Sequence, residues 1–428
     1  MKNCCKYFIV LISLFLQLKV VAQDNLYTSY TTADARVKLY RNLINNSINK
    51  NLSIPLNDST EENWEEAFGA LELLLYKNDW VNNKVQTAFD SIQFRSDHFK
   101  KMLLELAYTN YQTKFLVQVS ELMQQTIDPK TFAMCAEYIL QQKQDGTTLD
   151  DLEETIIKKF TDQSDNVFIM MLSQHINELK SKPKPFLQNK YFTQLLDKKF
   201  LPGQIVMYSF QRKDRNYPGI VVVRNAEGKF IRDSSGNIFN VPQLARSITD
   251  LPGYITNGNT PQGIFRMYGF EVSRSNFIGP SPNVQMAMPV EMKLQKFFND
   301  STIEDSVWSI EWYKKLLPKT LKDYQPLYNA YYAGLAGRTE IIAHGTTINP
   351  EYYKGQPYYP HTPSQGCLCT KEIWNGKRME SNQQKLITAL LKAGGANGYC
   401  VVVELDDKEI PVTIEEILPH LLSAESLK

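Results

Sequence analysis

EIIAHGTTINPEYYKGQPYYPHTPSQGCLC, residues Glu340 to Cys369, is the stretch from which the carboxy-terminal half of this chain can be read. Glu340 to Ala343 predicts a strand that ends at His344. Pro363-Ser364-Gln365-Gly366-Cys367-Leu368-Cys369 predicts a loop built from turn residues. The polar residues of Ala343-His344-Gly345-Thr346 and of this loop have no evident use in a fold. His344 and Cys367 are 23 residues apart, an interval that a loop doubling back across a sheet can close. A cysteine of ordinary pKa, about 8.5, is mostly protonated at neutral pH, and a neighbouring imidazole stabilises its thiolate. Cys367 is therefore the candidate nucleophile and His344 its base. Gly366 permits tight backbone geometry that can aim the amides near Cys367 at a developing oxyanion.

Around this stretch the sequence reads as strands and turns. Ile205 to Phe210 is a short apolar run, and Ile220 to Val223 with Lys229 to Ile231 flank a hairpin turn at Asn225-Ala226-Glu227-Gly228. Thr260-Pro261-Gln262-Gly263-Ile264-Phe265 is a rigid turn entering a strand, and Tyr399 to Leu405 has the β-branched content of a buried one. Between them, residues 290–338 are helical and aromatic, with Trp308, Trp312, Tyr313, Tyr324, Tyr328, Tyr331 and Tyr332. This insertion is read as packing an aromatic core of its own, with a substrate-stacking surface as the alternative. A lid over the site would use both.

Further towards the amino terminus the pattern turns helical, from about Leu26 to Lys180. Ser59 with Glu62 reads as a capping box ahead of Trp64, Phe68, Leu71 and Leu75. Ser96 precedes a stripe of Phe99, Met102, Leu103, Leu106 and Ala107. Similar segments follow at Phe115 to Met123, Phe132 to Leu140 and Leu149 to Phe160, with no fixed-length repeat. These stripes are core faces of an all-α domain. Ser181-Lys182-Pro183-Lys184-Pro185 breaks the pattern, because proline removes a donor and drives its predecessor out of the α region. The expected organisation is α+β and multidomain: an all-α domain over 23–190, then a mostly β catalytic domain over 191–428. A chain of 428 residues is long enough for two such cores.

The first residues predict export. Lys2 and Lys6 precede an apolar run from Tyr7 to Leu18, and Val20-Val21-Ala22 offers a cleavage site, so residues 1–22 read as a signal peptide. No later stretch is long and apolar enough for a membrane span, so no integral membrane segment is expected after signal removal. Cys4 and Cys5 lie on the wrong side of the apolar run for lipid attachment. Their removal leaves Cys135, Cys367, Cys369 and Cys400, too few for a disulfide scaffold. With 47 Lys plus Arg against 46 Asp plus Glu, neither nucleic acid nor an acidic partner is implied. No His, Cys and Glu set has metal-ligand spacing, and no metal or other cofactor is expected.

Other residues compete for the same roles. His361 lies six residues before Cys367 and is the alternative base or a substrate contact, but a strand-end residue such as His344 is better fixed for geometry-critical work. Cys369 invites a redox reading in which it pairs with Cys367 through a strained ring. Cys135 and Cys400 read as small buried hydrophobes, and His98, His175 and His420 as structural or exposed.

The order His-Gly-Thr, then Ser-x-Gly-Cys-Leu some two dozen residues on, with Thr-Pro-x-Gly-x-Phe upstream, resembles the catalytic domain of the L,D-transpeptidases that cross-link bacterial peptidoglycan. The resemblance covers roughly Leu201 to Asp407, is strongest over His344 to Cys369, and leaves the helical half unexplained. It implies that Cys367 is the nucleophile, that His344 is the base, and that Ser364, Gly366 and the main chain around Gly345 shape the site. It also implies a periplasmic or envelope location, stem peptides as partners, and a role in cell-wall biogenesis and cell shape. The chain departs from the family at Gln365, where a second histidine is usual, and at Cys369, where Arg or Asn is usual. The interval from His344 to Cys367 is longer, and Tyr352, Tyr353, Tyr358 and Tyr359 fill it. The implied reaction is thioester formation at the third residue of a stem tetrapeptide, resolved by an amine or by water. A carboxypeptidase of the same fold and a silent wall-binding scaffold are the alternatives, and the helical domain is a candidate site for a protein partner. Sortase-like enzymes use a longer interval, and papain-like amidases place Cys before His.

Overall fold

Val206, Tyr208 and Phe210 point to one side of strand β1 (Ile205–Gln211), Ile205 and Met207 to the other, and all are buried. A strand covered on both faces needs apolar residues at nearly every position, which is what this run provides. The computed structural model describes residues 31–181, 189–375 and 378–426. The expected signal peptide, and Lys182 to Pro185 of the expected boundary, lie outside them. Among the described residues no helix is long and apolar enough to cross a membrane.

Among the described residues ten strands follow in chain order: β1, β2 (Gly219–Arg224), β3 (Val241–Gln243), β4 (Gly263–Glu271), β5 (Asn283–Ala287), β6 (Ala343–Gly345), β7 (Leu368–Thr370), β8 (Glu372–Asn375), β9 (Arg378–Ser381) and β10 (Asn397–Glu404). Eight form one sheet in the order β3-β2-β1-β10-β4-β5-β6-β7, and β8 and β9 form a separate hairpin. Only β1 with β10 and β6 with β7 run parallel. Leu244 and Cys369 exchange main-chain hydrogen bonds of 2.8 Å, so the two edges of the sheet meet and a near-barrel results. One face packs on the carboxy-terminal helix Ile414–Ser426 and the aromatic insertion, the other on the helix Asn382–Ala393.

Within 290–338, Tyr313 and Tyr328 are fully buried, and the Tyr313 hydroxyl takes the Ile264 amide and donates to the Leu327 carbonyl. Apart from the partly exposed Trp312, the aromatics singled out in this insertion belong to or pack against a core continuous with β1 and β10.

Helices fill the described part of the amino-terminal half, including Glu61–Leu74, Asp97–Asn110, Pro129–Leu140 and Gly146–Lys159. Ser96 caps its helix through the Phe99 amide, as its sequence predicts. Ser59 does not cap. Asn57 accepts from the Ser59 amide, the capping box is Asn57 with Thr60, and a 3₁₀ turn precedes the helix. Two strand expectations also change. Lys229 to Ile231 is only a bridge at Phe230, although the turn before it forms. Glu340 adopts φ +62°, which delays strand β6 to Ala343. The short strands β3 and β5 carry too few residues for a period to be seen.

The helical half does not keep its core to itself. Leu244, Leu251, Tyr254, Ile255, Ile348, Tyr353, Tyr358 and Cys369 belong to the same apolar cluster as Trp64, Phe68, Leu103 and Leu106. Polar ties cross the same contact: Tyr254 to Glu137, Asn257 to Glu105, Lys130 to Thr256 and Tyr353 to the Leu73 carbonyl. The tyrosines that lengthen the interval between His344 and Cys367 are largely spent here. Tyr352 lies 5.3 Å from the Tyr40 ring, and Tyr353 and Tyr358 are buried in the shared cluster.

Candidate active site

The parallel pairing of β6 and β7 puts His344 directly beside Cys369. Side chains two apart on an extended segment share a face, so Cys367, just before β7, presents its sulfur on the same side. The imidazole thus meets two sulfurs. Its Nε2 is 3.7 Å from Cys369 Sγ, and Cys367, whose Sγ lies 3.4 Å from the Glu340 carbonyl oxygen, is near enough to raise the imidazole's pKa. Nδ1 lies 2.7 Å from the Gly345 carbonyl oxygen, an arrangement that puts a proton on Nδ1 and turns Nε2 to the sulfurs.

Access separates the two thiols. Cys369 is 1% exposed, whereas Cys367 is half-buried and lines a cavity of about 510 Å³ together with His344, Thr346, Ser364 and Gln365. Cys135 and Cys400 are fully buried, and their thiols are pushed far up by that burial.

Burial opposes charge on both members of the pair, and both overcome it. Burial pushes the Cys367 thiol up, but the hydrogen bond and charge of His344, the Ile342 amide and the Arg338 guanidinium together bring it below its ordinary value. Burial pushes His344 down, but the two sulfurs hold it well above the ordinary imidazole range. The two shifts run in the directions that favour a charged sulfur and a charged imidazole.

Arg338 is the cation that sequence reading missed. Its buried guanidinium donates to the main-chain carbonyls of Gly253, Gly258 and Asn259, and burial lowers its pKa to about 10 while the neighbouring Cys367 acts to raise it. The loop that ends in Cys367 is closed over it: Gly366 has φ +114°, and a Cβ there would fall on the Arg338 guanidinium and the Gly258 carbonyl. Thr260 holds the Gly366 carbonyl at 2.8 Å. Where the family resemblance led one to expect a polar or cationic residue at position 369, the local charge comes from position 338. Gly345 is also sterically required, because a Cβ there would overlap the buried Glu372 carboxyl.

Two expectations for the loop need correction. The amides of Gly366 and Cys367 are not free for an oxyanion, since Ser364 Oγ accepts from both, at 3.2 and 2.8 Å. His361 is not among the cavity residues. It is buried, its Nδ1 lies 3.3 Å from the Tyr358 carbonyl oxygen, and burial lowers its pKa to about 4, so it stays neutral. His175 pairs with Glu137, and His98 with Glu65 at the surface.

The opposite wall of the cavity comes from the helical half: Leu43, Ser47, Glu66, Gly69, Glu72 and Glu105. None of the aromatic insertion lines it, so the insertion does not form its lid. Glu72 and Glu105 were legible in one respect, since each interrupts an apolar run, Leu71-Glu72-Leu73-Leu74 and Leu103-Leu104-Glu105-Leu106. A carboxylate on a core stripe needs a partner or a purpose. Among the described residues no group of three His, Cys, Asp or Glu side chains is arranged to hold a metal ion. Comparison with family models, curated proteins and solved structures found no match for this chain.

Proposed function

We propose that this chain is an exported cysteine acyltransferase that acts on peptidoglycan stem peptides in the manner of an L,D-transpeptidase. One observation carries the reading: an accessible thiol, held below its usual pKa by a buried imidazole, opens into a cavity large enough for a peptide segment. The motif order from His344 to Cys367 supplies the substrate class by resemblance.

The steps follow from the residues. The Cys367 thiolate attacks the carbonyl carbon of the third stem residue, and a C–S bond forms. The bond to the terminal D-residue breaks, and His344, protonated at Nε2, gives its proton to the leaving amine. A thioester remains. An incoming amine attacks it, the C–N bond forms as the C–S bond breaks, and His344 takes the amine's proton as the thiolate returns. Water in place of the amine gives the carboxypeptidase outcome. Ser364 Oγ occupies the Gly366 and Cys367 amides, so neither is offered as an oxyanion donor.

That engagement of both amides also favours a second reading, a wall-binding protein that keeps the fold without turnover. Incubating the protein with stem tetrapeptides, followed by intact mass and product analysis, decides. An acyl adduct on Cys367 with new cross-links is the expected result. Trimmed tripeptides alone would make it a carboxypeptidase, and no adduct would leave the binder.

A further inference from the structure

The helical wall of the cavity holds two carboxyls that acyl transfer at Cys367 does not use. Glu72 is 7% exposed and Glu105 4%, and both line the same cavity as Cys367. Glu105 Oε2 accepts from Asn257 Nδ2 at 3.0 Å, and Lys130 adds a nearby positive charge. Glu72 has no such support. Its Oε1 is buried without a hydrogen-bond partner. The third cavity carboxyl, Glu66, is satisfied by Ser47 at 2.7 Å and Asn51 at 3.0 Å. One turn before Glu72, Gly69 puts no side chain into the cavity, and a Cβ built there meets nothing within 4 Å. The helix therefore leaves open room beside an unpartnered buried carboxyl.

We infer that Glu72 and Glu105 form a subsite for a primary ammonium group carried on a peptide side chain, set across the cavity from Cys367. The inference rests on the acyl-transfer reading for its purpose but not for its chemistry. A buried carboxyl without a partner is retained at a cost that an ammonium ligand offsets by a charge-assisted hydrogen bond. Burial and mutual repulsion raise Glu72 well above the ordinary carboxylate range, and burial brings Glu105 to about 7, as fits two acids facing one space without their counter-ion. The ammonium can belong to the third residue of the donor stem or to the amine that resolves the thioester. In the second case Glu72 takes one proton, and the freed amine attacks the thioester carbon.

The test uses the full chain. N-acetyl-lysinamide, with a free side-chain amine, and its side-chain-acetylated, neutral counterpart are titrated into the wild-type protein and into Glu72→Gln and Glu105→Gln. Calorimetry should show at least tenfold preference for the charged probe in the wild type, and loss of that preference in Glu72→Gln. Equal binding of the two probes by the wild type overturns the subsite and needs no variant to fold. Two kinetic readouts assign the source. Slower thioester formation in Glu72→Gln places the ammonium on the donor, and a tenfold fall in aminolysis relative to hydrolysis places it on the acceptor. If neither kinetic readout moves and charged-probe preference survives in both variants, the subsite is wrong. A wild-type protein that prefers the charged probe but forms no thioester sinks the acyl-transfer reading and leaves the subsite standing.

Discussion

The two walls of the cavity are built on different principles. On the sheet side, His344 and Cys367 are positioned by main chain: the pairing of β6 with β7, the Gly345 carbonyl, the Ile342 amide and the Arg338-bound loop before Cys367. On the helical side, Gly69, Glu72, Met102 and Glu105 project from helices whose remaining residues make a core. Strand pairing fixes atoms to the tolerance that bond making demands, while helices offer a face whose side chains can vary in size and charge. Under the proposed function, this difference assigns reactivity to one wall and recognition to the other.

Removing the sulfur breaks the first half of this comparison most completely. Cys367→Ala should abolish acyl-adduct formation in intact mass spectra, while the buried Cys369 remains unacylated; transfer of the adduct to Cys369 would overturn the division by access. His344→Ala should slow acylation by about 10²- to 10⁴-fold, the range for losing a positioned acid–base group. The same variant has a pH signature. In the wild type, alkylation of Cys367 by iodoacetamide should persist below the ordinary thiol range and fall only as pH drops through the depressed pKa. In His344→Ala that fall should move to higher pH, because burial is then less opposed.

Arg338→Met sharpens the claim that the sheet wall is held by main chain. It strips donors from three carbonyls inside the protein, and urea denaturation should show a loss of roughly 3 kcal/mol. Gly69→Leu probes the other wall. A side chain grown into the open space should raise KM about tenfold and leave iodoacetamide alkylation of Cys367 near its wild-type rate, a change of roughly 1.4 kcal/mol in binding. Tyr353→Phe, which removes only the hydrogen bond to the Leu73 carbonyl between the walls, should cost about 1 kcal/mol of stability by the same denaturation measurement.

The strands at Ile205 and Asn397 were readable because apolar or β-branched runs leave few alternatives, the one at Gly263 because a rigid turn at Pro261 enters it, and the Ser96 cap because its helix begins directly after it. Ser59 misled because serine, threonine and asparagine all cap, and the choice of Asn57 depends on a 3₁₀ turn that has no pattern of its own. The partner of the helical half's apolar faces was not legible for a different reason. Apolar stripes say that a face is buried, not against what, and part of that face is buried against Tyr254, Tyr353 and Tyr358.

Sequence alone singled out His344 and Cys367 as one candidate site, because a histidine at a strand end and a cysteine in a glycine turn are residue types few folds require together. It determined the helical and sheet regions by their periods. Tertiary structure decided which cation sits beside the sulfur, which amides are occupied and which helices face the thiol. Those depend on approach between residues such as Arg338 and Gly258, or Glu72 and Cys367, far apart in the chain, and a linear pattern carries information only about neighbours along it.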